Sequence, residues 1–137
     1  MTDRIFVDSN VWVYLFTDDK NIKNRAASEY IKKNAETNRL IISYQVLNEV
    51  CCVLKKKKYT EPEIRIVAGD MIGLCEVCGY SEEIIYLASE LRDMYSLSYW
   101  DSHIAASGLA SQCSVLTSED MQDGLIINKM VIKNLFL

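Results

Sequence analysis

Apolar residues fall along this chain in two alternating patterns. Short unbroken runs occur at Ile5-Phe6-Val7, Leu40-Ile41-Ile42, Val115-Leu116 and Met130-Val131-Ile132. Runs of this length without polar interruption predict strands buried on both faces. They place strands over 4–8, 40–43, 113–117 and 130–132, with a further short strand over 75–79. Between them apolar positions recur at helical spacing. Ala26, Ala27, Tyr30 and Ile31 form the inner stripe of a helix over 22–34, and Val46, Leu47, Val50, Val53 and Leu54 that of a helix over 44–56. Asn10 opens a short helix through Val11, Trp12, Tyr14 and Leu15. Thr60-Glu61-Pro62-Glu63 reads as a capping box that starts a helix to about residue 74. Ser81 and Ser98 read as caps of two more helices, ending near 95 and 111. Gly124 marks a turn.

Strands alternating with helices imply an α/β fold: a central, mostly parallel sheet of about five strands with helices on both faces. At 137 residues the chain is expected to form one domain over 1–137. Half its residues are hydrophobic and a quarter charged, enough apolar material for a core. The net charge of −4 argues against a general electrostatic nucleic-acid binder. It leaves room for an enzyme in which a divalent cation offsets clustered acids. No stretch reaches the ~20 apolar residues of a membrane span, and no secretory leader is visible. The five cysteines have no framework spacing and read as reduced, mostly core thiols, so the expected compartment is the cytoplasm.

The strands end in an informative way. The first closes on Asp8, and the one over 113–117 closes on Ser118-Glu119-Asp120. Glu49 lies in the second turn of a helix that follows a strand with almost no loop, at the edge of its apolar face. Asp101 lies in the first turn of another helix. In a parallel sheet the strand C-termini and the following helix N-termini share one edge, where ligands bind. Four acids from separate segments are therefore expected at one rim. Such clustering is unfavourable without a cation, and hard ions such as Mg²⁺ take oxygen ligands while keeping waters and substrate phosphates. The chemistry that follows is phosphodiester hydrolysis by a metal-activated water. Each acid alone has a plainer reading: Asp8 and Asp101 as parts of helix caps, Glu49 as a helix-edge residue, Asp120 as a turn residue before Gly124.

Four motifs carry a family resemblance. They are Val7-Asp8-Ser9-Asn10-Val11; Ser43-Tyr44-Gln45-Val46-Leu47-Asn48-Glu49-Val50; Leu97 to Ala106, with Asp101 at its centre; and Leu116 to Gly124. Together they resemble the PIN domain, most closely the VapC-like toxins of type II toxin–antitoxin pairs. The resemblance implies an α/β/α sandwich and a Mg²⁺- or Mn²⁺-dependent endoribonuclease. In it Asp8, Glu49, Asp101 and Asp120 would be the catalytic, metal-binding acids. Asn10 and Ser118 would steady the site. Glu119 and Asp123 stand close enough in sequence to replace or join Asp120. The ending Asn134-Leu135-Phe136 departs from the commoner Asn-Pro-Phe, which bears on how the tail packs. The implied partners are an RNA substrate, an antitoxin protein and a second copy in a homodimer, with no membrane. Two other readings within the family are an RNA-processing nuclease outside any toxin–antitoxin pair and a non-catalytic RNA- or protein-binding module.

Other candidates carry less. An aspartate-nucleophile phosphatase would use Asp8, but it requires a second Asp where Asn10 stands, and a lysine that is missing between Ser111 and Asn128. His103 is the only histidine, which excludes a two-histidine acid–base mechanism; two positions from Asp101, it is expected at the surface or substrate rim. Cys75-Glu76-Val77-Cys78 lacks the further ligands of a structural zinc. Trp12, Tyr14, Tyr99 and Trp100 read as core or dimer packing rather than as base-stacking platforms. The run Lys55–Lys58 suits a helix C-terminus and lies within reach of RNA phosphates near Glu49.

Overall fold

A computed structural model describes residues 2–17 and 21–137. The elements are β1 (Arg4–Val7), α1 (Ser9–Phe16), α2 (Ile22–Thr37), β2 (Arg39–Ser43), α3 (Tyr44–Lys56), α4 (Glu61–Leu74), β3 (Glu76–Cys78), α5 (Glu82–Met94), α6 (Tyr99–Ala110), β4 (Val115–Thr117), β5 (Ile126–Ile127) and β6 (Met130–Lys133). The fold is α/β, with one sheet in the order β3-β2-β1-β4-β6-β5. All neighbours are parallel except the antiparallel β5–β6 pair.

β1 lies inside the sheet because its sequence allows nothing else. Ile5, Phe6 and Val7 point to alternate faces, and all three are buried. The strand pairs with β2 on one side and β4 on the other. From β1 the chain steps outward to β2 and β3, then crosses back to β4. Right-handed crossovers place the helices made before and after such a reversal on opposite faces. Accordingly α1 packs on α2 and α3, and α3 on α4, while α5 and α6 pack on each other. α6 comes close to the sheet through its small residues: a Cβ on Gly108 would stand 2.8 Å from Met130 Sδ.

The capping residues explain several boundaries. Thr60 and Glu63 form a reciprocal capping box, and Ser98 accepts from the Asp101 amide. Ser81 precedes α5 without a side-chain cap bond, so there the helix starts on its backbone alone. Among the described residues the sheet has six strands rather than five. The added one, β5, is two residues long and reaches β6 through Asn128, at a φ of 54°. Neither its length nor its glycine-free turn gives a strong sequence signal.

Truncating Phe6 to Ala is expected to cost about 3–5 kcal/mol, as for other buried aromatics. Thr60→Ala should cost about 1 kcal/mol through its lost cap. Urea denaturation checks both, and a Phe6→Ala cost no larger than that of Thr60→Ala would contradict the central place given to β1.

Candidate active site

The reversal of strand order opens a crevice at the carboxyl ends of β1 and β4, the position where open α/β sheets bind ligands. Asp8 sits there because β1 runs straight into it. Its amide continues the ladder to Thr117 O at 2.9 Å. Its side chain is buried, at 4% exposure. Oδ1 accepts from Ser9 N at 2.7 Å and Oδ2 from Ser118 Oγ at 2.8 Å. Asp8 is also the N-cap of α1, which begins at Ser9, one residue earlier than the pattern predicts. The cap reading and the rim-acid reading of Asp8 are thus compatible.

Ser118 and Asn10 tie the two strand ends together. Ser118 Oγ accepts from Asp120 N at 3.3 Å while it donates to Asp8. Asn10 donates through Nδ2 to Asp120 Oδ2 at 3.1 Å and accepts through Oδ1 from Glu119 N at 3.1 Å. Glu49, half-buried on α3, and Asp101, in the first turn of α6, complete the rim. A carboxylate in the first turn of a helix is favoured by the macrodipole.

The four acids lie close enough to repel one another. The Asp8 carboxyl is raised to about 6: burial is the largest cause, the bonds to Ser118 and Ser9 act against it, and the charges of Glu49 and Asp101 add to it. Glu49 is raised by burial, eased by Gln45 and Ser9, and raised again by Asp101 and Asp120. Asp101 is raised by burial and by Asp120, against the pull of Ser98. Among the described residues none of these four acids makes an ion pair. Nor do any three acidic, imidazole or thiol side chains among them converge tightly enough to grip an ion alone. That spacing, with oxygen donors only, fits a hard divalent ion that uses one or two carboxylates and fills its shell with water and phosphate oxygens.

The neighbouring acids have other partners. Glu119 meets Lys23 Nζ at 2.5 Å and Tyr14 Oη at 2.7 Å. Burial acts to raise its pKa, but Lys23 and Tyr14 outweigh this and hold it below the usual range. Asp123 accepts the Asn134 amide at 2.7 Å. Asn134 also donates to Glu119 O at 3.4 Å, so the tail braces the loop that carries Asp120.

The structure overturns the expectation for His103 and sorts the aromatic side chains. His103 is buried at 1% exposure and bonds to Tyr80 Oη through Nδ1 at 2.5 Å, because α6 packs inward on the side away from Asp101. Trp12 is core, and its Nε1 donates to Val7 O at 3.1 Å. Tyr99 and Trp100, in contrast, are exposed at 52% and 58%, so they do not belong to the core. Of the free thiols Cys113 is buried, Cys51, Cys75 and Cys78 are half-buried, and Cys52 is exposed. Burial raises the pKa of both Cys75 and Cys78, which suits inert thiols.

Two hollows flank the acids. One, of about 310 Å³, contains Asp101 and Asp120 beside Met94, Leu97 and Leu125. The other, of about 340 Å³, is formed by Gln45, Asn48, Glu49, Cys52 and Trp100. A larger hollow of about 530 Å³ opens near Gln112 and Ser114, at the opposite edge of the sheet, and touches none of the four acids. Among the described residues no helix is long and apolar enough to cross a membrane.

This fold and rim define a known class. The PIN domain profile matches residues 5–124, and the chain belongs to that family. Toxin–antitoxin proteins are among its structural neighbours. VapBC2 from Rickettsia felis, solved bound to a DNA fragment from its promoter, is 18% identical with a TM-score of 0.74, covering 96% of this chain and 98% of that one. A toxin–antitoxin complex from Klebsiella pneumoniae is 22% identical with a TM-score of 0.72, covering 93% and 95%. VapC20 from Mycobacterium tuberculosis, a sarcin-ricin loop cleaving toxin, is 17% identical with a TM-score of 0.66, covering 82% and 86%. No curated protein sequence matches the chain.

The raised pKa of Asp8 has a sign that can be measured. Between about pH 4 and pH 6 the unfolded chain releases this proton and the folded chain keeps it, so metal-free stability falls as pH rises through that window. The full loss is on the order of 2–3 kcal/mol above pH 6. In chelator at pH 7.5, Asp8→Asn should therefore be about 1–3 kcal/mol more stable than wild type, and the difference should vanish near pH 4. An Asn variant less stable than wild type at pH 7.5 would contradict the electrostatic account.

Proposed function

We propose that this PIN protein is a Mg²⁺- or Mn²⁺-dependent endoribonuclease and the toxin of a type II toxin–antitoxin pair. The observation that carries the reading is the rim itself: Asp8, Glu49, Asp101 and Asp120 come from four separate segments, and burial together with neighbouring rim charges raises the first three. Such a set is costly for a fold to keep without a cation. The VapBC likenesses support the toxin assignment, and VapC20 supports RNA as the substrate class.

In this reading the four acids line the site of one or two metal ions, each ion taking one or two of the carboxylates directly. When bound, the ion supplies a water of lowered pKa and offsets charge on the leaving 3′-oxygen. Ser118 and Ser9 fix both oxygens of Asp8, so its charge faces the crevice in one orientation. Asn10 sets the Asp120 carboxylate and, through the Glu119 amide, the loop behind it. Lys23 and Tyr14 hold the Glu119 side chain, leaving Asp120 as the fourth acid. His103, bonded to Tyr80, is not available as the base that would draw a proton from the RNA 2′-hydroxyl. Water is then the nucleophile, and the products carry 5′-phosphate and 3′-hydroxyl ends. An antitoxin and a second copy of the chain are the proposed protein partners.

Incubation of the protein with RNA in Mg²⁺ or Mn²⁺ is expected to yield internal cleavage that chelator abolishes. Asp8→Asn and Asp101→Asn should each reduce the rate at least 100-fold, in the range of a lost charge-stabilising group. Mn²⁺ should raise the thermal midpoint of wild type more than that of either variant. Products ending in a cyclic phosphate, or full activity in either variant, would refute the assignment.

A further inference from the structure

Trp100 is the exposed aromatic that the fold places beside the acids, and its surroundings hold it in place. It sits in the first turn of α6, next to Asp101, and shares the hollow with Glu49, Gln45, Asn48 and Cys52. Its ring meets Tyr99 edge-on, at 5.0 Å and 89°, and leans on His103 at 5.3 Å. His103 is buried and fixed by Tyr80. Arg92 stands over the Tyr99 ring at 4.5 Å and donates to Ser102 Oγ at 2.7 Å, anchoring the same turn. A large aromatic kept 58% exposed yet braced from behind is a ready stacking surface. The wall opposite is made by Gln45, Asn48, Glu49 and Cys52 of α3, with Asn48 exposed. On α3 the positions Gln45, Glu49, Cys52 and Lys56 follow helical spacing, so positive charge continues the same stripe about 10 Å beyond Glu49. An aromatic platform with positive charge along the same path is the pattern of single-strand recognition.

We propose that the hollow between α3 and α6 receives one unpaired nucleobase of the RNA substrate, stacked on Trp100, beside the phosphate held at the acids. This deepens the nuclease reading and rests on it for the identity of the substrate. It makes the preferred substrate a loop or single strand, since a paired base presents no free face to the ring.

Trp12 and Trp100 are the only tryptophans, and Trp12 is fully buried, so emission from Trp100 reports this site. In the Asp8→Asn variant with Mg²⁺, a short oligouridylate should quench tryptophan emission, while the same strand annealed to its complement should not. Adding Trp100→Ala should abolish the quench and weaken binding about 5- to 150-fold, the range expected for one stacked base. In the otherwise wild-type protein, Trp100→Ala should raise KM for single-stranded RNA with kcat little changed, and Trp100→Phe should restore most of the loss. Quenching without any cleavage by wild type would remove the proposed reaction and leave the base site standing. Equal quenching by the duplex, no quench by the single strand, or unchanged binding in Trp100→Ala would overturn the proposal. A smaller oligomer on sizing Trp100→Ala would also overturn it, by assigning the ring to a contact between copies.

Discussion

One buried carboxylate organises this molecule. Asp8 closes the strand that the sheet surrounds, at the place where strand order reverses, and both its oxygens are hydrogen-bonded from within the protein. Those bonds set its orientation without neutralising its charge. The surroundings follow from that need. Ser118 must follow β4 directly to reach Oδ2, which fixes how the Asp120 loop leaves the sheet. Asn10 must lie on the inner side of α1 to meet that loop. The first turn of one helix and the second turn of another then bring two more acids to the same crevice.

Adjacent residues with the same chemistry have different environments here. Glu119 and Asp120 are neighbours in sequence, yet Glu119 turns to Lys23 and Tyr14 while Asp120 meets Asn10. Tyr14 also packs edge-on against Phe136, so the C-terminal segment and α1 together hold the first acid of the pair away from the rim. Leu135 in place of a proline still allows this packing, because the bonds that latch the tail come from Asn134.

The architecture was legible where burial dictates residue type. Ile5-Phe6-Val7 and Leu40-Ile41-Ile42 announce interior strands, and the helix over residues 44–56 has the limits its stripe and Ser43 cap require. The PIN family was legible because four motifs in order fix four corners of one crevice. What sequence could not supply was direction on a short helix lined with small residues. α6 is buried over most of its length, so it has no clear polar face, and His103 could turn inward toward Tyr80 while Trp100 remained outside. β5 was hidden for a different reason: two residues show no periodicity. The separate fate of Glu119 depends on Lys23, distant in sequence, which no local pattern signals.

The Asp8 arrangement also bears on how such a protein can evolve. Its charge opposes folding, while the side-chain bond by which it caps α1, accepting from Ser9 N, is one that an amide oxygen can fill. A single carboxylate-to-amide change would then silence the proposed chemistry and leave the sheet, the crevice and the Trp100 hollow in place. Conversion from catalyst to binding scaffold is therefore thermodynamically downhill in this architecture. An active lineage keeps its acid only for as long as selection on cleavage outweighs that slope.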